Sequence, residues 1–86
     1  MTVEPGKAIE QHWAAPISVR LGSGHAELIH GPDDALYYLR YRWPMKRSLA
    51  LDTARRRCLE ARISEIPCEA AREAVIAAAI EARVLA

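Results

Sequence analysis

Most of the features that announce a function are missing from this sequence. No apolar run approaches the roughly 20 residues that a membrane-spanning helix requires, and the longest, Ala74 to Ile80, lies between Glu73 and Glu81. The opening residues, MTVEPGKAIEQHW, hold no basic stretch followed by an apolar core, so no secretion signal is expected. Cysteine occurs only at positions 58 and 68. Two cysteines make no multi-disulfide framework and suit a reducing cytoplasm better than secretion. Neither sign of charge is in excess: the net charge of +1 argues against a globally basic nucleic-acid binder. Gly22-Ser23-Gly24 is too short for a phosphate-cradling loop and has no lysine or helix start behind it. No serine or cysteine has a base suggested by its sequence context, and an unactivated nucleophile does little chemistry. The expectation is a protein that is not an enzyme and carries no cofactor.

What is present is the composition of a folded domain. With 86 residues there is one core, because either half alone would be too small to bury one. A domain of this size buries roughly 60–65% of its unfolded surface, so its stability should be modest. Hydrophobic residues make up 51% and charged residues 27%, a globular balance and not a disordered one. Residues 1–12 mix Pro5, Gly6 and charges without a period and read as a mobile leader. The folded domain is assigned to 13–86.

Trp13 is the first residue that calls for burial. Ile17, Val19 and Leu21 alternate with Ser18 and Arg20, the period of a half-buried strand. Gly22-Ser23-Gly24 supplies turn chemistry, and His25 to His30 reads as the returning strand of a β-hairpin. Gly31-Pro32-Asp33-Asp34 is a helix start, with proline and acids suited to the first turn. Ala35, Leu36, Leu39 and Trp43 share one face, and Pro44 ends that helix near Arg42 or Trp43. A second helix is expected from about Ser48 to Arg62, with a narrow seam of Leu51, Ala54, Cys58 and Ala61. Leu59 and Ile63 lie off that seam, and Asp52 and Arg56 are spaced for an ion pair. The last helix, from Pro67 towards Ala86, is rich in helix formers. It carries Ala71, Ala74, Val75, Ala78, Ala79, Ala82 and Leu85 on one stripe. The fold class is therefore α+β: an N-terminal β-hairpin followed by three α-helices, the hairpin packed on the C-terminal helix.

Two loose ends point to a partner. A lone hairpin leaves strand edges open. On the last helix, Ile76 and Ile80 project away from the alanine stripe beside Arg72, Glu73 and Arg83. Ile76, Ile80, Arg72 and Arg83 are accordingly the candidate partner interface, and a homodimer or a protein partner is expected, because symmetric dimers commonly bury such leftovers.

The coincidences of apolar signal and punctuation also form a pattern. Trp13, Pro16-Ile17, Gly31-Pro32, Ala35 and Leu39 come first, then Trp43-Pro44, Ala54, Cys58, Ala71-Arg72 and Ala78 through Glu81-Ala82. Together they resemble a family of small proteins from rhizobial-type alphaproteobacteria known only as a domain of unknown function. The resemblance spans about Trp13 to Ala82. It departs in two places: that family tends to have a glycine between its last two helices, where residues 62–65 hold none, and an aromatic near position 75, where this chain has valine. The resemblance implies an α+β fold and assigns no activity, so it brings no functional residues.

Candidate chemistry is sparse. His12, His25 and His30 lack the short paired spacings of zinc ligands, so no metal is expected. Cys58 has Arg55 and Arg62 at helical spacing, which would lower its pKa only if both guanidinium groups faced the sulfur. The plainer reading is a small core residue in the seam. Asp33 and Asp34 are dipole partners at a helix start before they are an acid/base couple. One charge feature stands out. Arg40, Arg42, Lys46, Arg47, Arg55, Arg56 and Arg57 face a single acid, Asp52, with Tyr37, Tyr38, Tyr41 and Trp43 among and ahead of them. Such a segment could bind phosphates and stack bases, although Arg55, Arg56 and Arg57 fan about 100° apart on a helix. The first reading is a small cytoplasmic interaction or regulatory accessory protein; weak nucleic-acid or phosphate-ligand binding through the 40–57 segment is the alternative.

Overall fold

The computed structural model of the chain describes residues 12–22 and 24–86, and the proposed leader lies almost wholly outside them. It has an antiparallel hairpin of β1 (Ile17–Val19) and β2 (Glu27–Ile29). Helix α1 (Pro32–Tyr37) follows and runs on into a π-helical turn (Tyr38–Arg42). Helices α2 (Leu49–Arg62) and α3 (Cys68–Ala82) complete the fold. The α+β reading with three helices holds, and β1 packs against α3.

The hairpin register sets Ile17 opposite Ile29 and Val19 opposite Glu27. Ile17, Val19 and Ile29 are buried, while Leu28 points to the exposed face. The connection is longer than a tight turn: residues 20–26 join the strands, with Gly22 at φ +76°, where glycine carries no side-chain penalty. Trp13 fastens the chain before β1. Its backbone N–H donates to the His30 carbonyl at 2.7 Å and its indole Nε1 donates to the Cys68 carbonyl in the first turn of α3 at 2.8 Å. Arg72 Nε reaches the Ala15 carbonyl at 2.8 Å, a second tie between this segment and α3.

The seam between α2 and α3 is the centre of the molecule. Leu51, Ala54, Cys58 and Ala61 of α2 and Ala71, Val75, Ala78 and Ala79 of α3 are all buried. Small side chains on both helices let the backbones approach closely, so the contact is dense without any large aromatic. Each fully buried Leu or Val contributes roughly 1.5–3 kcal/mol by removal from water. Ser48 caps α2, its side-chain oxygen accepting from the Leu51 N–H at 2.9 Å. At the other end Ser64 takes φ +65°, a left-handed conformation usually given to glycine. This is the junction where the resembling family tends to carry glycine; here the left-handed position is held by a serine.

The C-terminus departs from the expected continuous helix. Helix α3 stops at Ala82, because Arg83 adopts the left-handed region (φ 60°, ψ 40°) and reverses the chain. The Val84 N–H closes back on the Ala79 carbonyl at 2.9 Å, and Val84 is buried. Leu85 is therefore not on the helical stripe. It forms a bridge with Val19, while Arg20 N–H donates to the Val84 carbonyl and Ala86 N–H to the Ser18 carbonyl. The tail thus pairs with the free edge of β1, an edge the sequence left open to a second subunit. No helix among the described residues is long and apolar enough to cross a membrane.

Candidate functional site

A concavity of the described surface lies between α1 with its π-turn and the outer face of α2. It is a groove of about 450 Å³ lined by Leu36, Tyr37, Arg40, Tyr41, Arg55, Leu59 and Arg62, within the size range of ligand sites. Its walls follow from helical spacing: Tyr37 and Tyr41 lie four apart on one side, and Arg55, Leu59 and Arg62 lie four and three apart on the other. The inner face of the same α2 helix carries the buried seam. One helix therefore presents small apolar residues inward and a leucine between two arginines outward.

The groove leaves large apolar side chains in solvent between its arginines. Tyr37 is 52%, Tyr41 68% and Leu59 51% exposed, and Ile63 beyond the end of α2 is 67% exposed. The tyrosine rings lie 5.5 Å apart and tilted by 47°, and the Arg40 guanidinium sits 5.5 Å from the Tyr41 ring centre. Such aromatic and cation–π contacts hold the wall in shape at a cost of little side-chain freedom. Arg55 donates one terminal nitrogen to the Leu39 carbonyl at 3.1 Å. Arg62 donates Nε to Asp33 at 2.8 Å. Each guanidinium has five N–H donors, so both keep donors for a ligand.

A second cluster flanks the groove and has a structural purpose. Arg42 grips Glu27 through two bonds of 3.1 and 2.7 Å, and the Tyr38 hydroxyl donates to the same carboxylate at 3.0 Å. The Arg42 bonds hold the Glu27 carboxyl below its usual range, and partial burial together with Glu27 raises the Tyr38 phenol. This cluster ties the π-turn to β2.

The residues expected to matter are thereby sorted. Of the seven basic residues, Arg40 and Arg55 reach the groove and Arg42 is committed to Glu27. Lys46, Arg47 and Arg56 are exposed away from it, and Arg57 is half-buried. Of the expected partner interface, Arg72 is tied to Ala15 and Ile76 packs against the core, which leaves Ile80 (59% exposed) and Arg83 on the surface. Asp52 and Arg56 are not an ion pair; among the described residues the pairs are Arg42–Glu27 and Arg62–Asp33. Cys58 is buried in the seam, and burial pushes its thiol up to about 12. The two arginines that could have activated it point instead to Leu39 and Asp33. His12 and His30 meet edge to face at 6.4 Å, and among the described residues no three potential metal ligands converge.

Sequence reasoning passed over Leu36, Leu59 and Arg62 as site residues. The signal was present in Leu59: an apolar residue off the seam, with Arg55 four before it and Arg62 three after. It needed only the tyrosines of the preceding helix to become a groove.

Comparison with known proteins follows the fold. Residues 15–86 match the family described as "Protein of unknown function (DUF982)". The chain belongs to that family. The fold is similar to the NMR structure of Agrobacterium tumefaciens protein Atu1219, a structural-genomics target, with a TM-score of 0.75 and 27% sequence identity. The likeness covers 90% of this chain and 77% of that one. No curated protein matches the chain. The family, common fold and rhizobial relative agree with the resemblance read from the sequence, and none of them assigns a reaction.

Proposed function

We propose that this DUF982 chain is a non-catalytic interaction or regulatory accessory protein of the cytoplasm, whose protein partner docks in the groove between α1 and α2. The observation that carries this reading is composition in place. Two exposed tyrosines, an exposed leucine and three arginines line one concavity between two packed helices. Tyrosine and arginine are the residues that dominate binding energy at protein interfaces, whereas lysine and glutamate are depleted there. The non-catalytic part of the reading is supported by Cys58, which is sealed in the core as a neutral thiol. Self-association through α3 is the rival. It has less to work with, because the tail already pairs with β1 and Ile76 is partly buried against the core.

The test is co-purification from native cells with three tagged versions of the full chain: unaltered, Tyr41→Ser/Leu59→Ser, and Ile80→Ser. The proposal expects a partner retained by the unaltered and Ile80→Ser chains and lost from the groove variant, with all three equally folded by circular dichroism. Retention by the groove variant with loss from Ile80→Ser would move the interface to α3 and refute the proposal.

A further inference from the structure

Resting on the groove as the partner face, we infer that its occupant is an acidic amphipathic segment of another protein, seating an apolar side chain between Tyr37, Tyr41 and Leu59 and placing carboxylates on Arg40 and Arg55. Charge and shape select this occupant over others. Arg40, Arg55 and Arg62 line one short groove of about 450 Å³, whereas a nucleic-acid backbone needs a row of cations. The remaining cations of the 40–57 run lie elsewhere or, like Arg42, are spent on Glu27. Asp33, held by Arg62 at the groove rim, further disfavours a polyanion while leaving Arg40 and Arg55 open to one or two carboxylates.

A planar guanidinium can take a carboxylate through two parallel bonds, and Arg55, which gives one terminal nitrogen to the Leu39 carbonyl, and Arg40, beside Tyr41, both keep N–H donors. The floor supplies the second requirement. Tyr37, Tyr41 and Leu59 are about half exposed or more, and a purely ionic ligand would leave them wet. Two copies meeting groove to groove would set arginine against arginine, so a symmetric self-pairing through this surface is disfavoured. One acidic helix face does exist within the chain, at Glu69, Glu73 and Glu81 of α3, all exposed. It makes a second copy a competing occupant, in a head-to-tail arrangement that would grow with concentration.

The experiment is selection of random dodecapeptides displayed on phage against the immobilised full chain, with Arg40→Glu/Arg55→Glu as the counter-target. The selected peptides are then titrated by NMR. The expected outcome is groove-dependent sequences enriched in Asp and Glu with Leu or aromatic residues at helical spacing. They should shift amides of residues 36–41 and 55–62 and bind the charge-reversed variant at least about tenfold more weakly. Groove-dependent peptides that are basic or uncharged, or no groove-dependent peptides at all, would overturn the inference. So would a random-sequence single-stranded DNA 12-mer that produces the same amide footprint at lower concentration than the peptides. Light scattering that shows mass rising with concentration, abolished equally by Arg40→Glu and by Glu73→Arg, would replace the acidic partner with a second copy. Peptide failure combined with groove-dependent co-purification would refute this inference while leaving the docking surface standing; loss of both would refute the two together.

Discussion

The two faces of α2 are built by opposite rules. Towards α3 it presents Leu51, Ala54, Cys58 and Ala61, all buried and without a charge among them. Towards α1 and the π-turn it presents Arg55, Leu59 and Arg62, with apolar surface left in solvent. The inner face gains from every neighbour it touches, so its residue sizes are dictated by packing density. The outer face leaves about half of its apolar area in solvent, and that exposed part contributes nothing to folding and is a standing liability to aggregation. A helix that is optimised on one side and left incomplete on the other separates stability from binding. Mutations on its two faces should therefore have effects that do not overlap.

The largest effect is expected from emptying the inner face. Leu51→Ala removes a fully buried side chain and should lower unfolding free energy by about 2–5 kcal/mol, read from urea denaturation. Overfilling the same face comes next: Ala54→Leu forces apart helices that meet through small residues, and about 1–3 kcal/mol should be lost. The cap of α2 is an intermediate case. Ser48→Ala removes the bond to the Leu51 N–H and should lose about 1 kcal/mol in the same assay. On the outer face, Tyr41→Ser should stay within about 0.5 kcal/mol of the unaltered chain. A loss like that of Ala54→Leu would break the distinction between the faces.

The Glu27–Arg42 contact sharpens the comparison through pH. Glu27 has a folded-state pKa below its ordinary 4.5, so its contribution is present at neutral pH. That contribution disappears as pH falls from about 4.5 through the lowered value, because protonation is easier in the unfolded chain. Thermal melts of Glu27→Gln should show a shallower acid dependence over that window than the unaltered chain. One expected change is a gain: Ser64→Gly relieves a left-handed φ of +65° and should stabilise by up to about 1 kcal/mol.

The sequence disclosed the inner face almost completely. Leu51, Ala54, Cys58 and Ala61 are spaced four and three apart, and a buried stripe of that kind follows from the helical period alone. The hairpin, the proline-led first helix and the stop before Pro44 were readable for similar local reasons. The C-terminal reversal was not, since an arginine at a left-handed position carries no glycine-like mark. Its reason lies in tertiary structure: Val84 gains burial and the tail gains partners on β1, which together offset the strain. The π-turn at Tyr38–Arg42 carries no local mark either, and its contacts come from another element, where Glu27 holds Tyr38 and Arg42. The groove was half legible. Its tyrosines and Arg40 and Arg55 stood out in the sequence, but only the crossing of α1 over α2 decides which cations face a common space.

The most direct test places a photo-crosslinking amino acid at position 41 in the groove, or at position 80 on α3, and irradiates living cells that express the full chain. A crosslinked partner band from position 41 that is absent from position 80 is the predicted result. A band from position 80 with none from position 41 would contradict the assignment of binding to the outer face of α2.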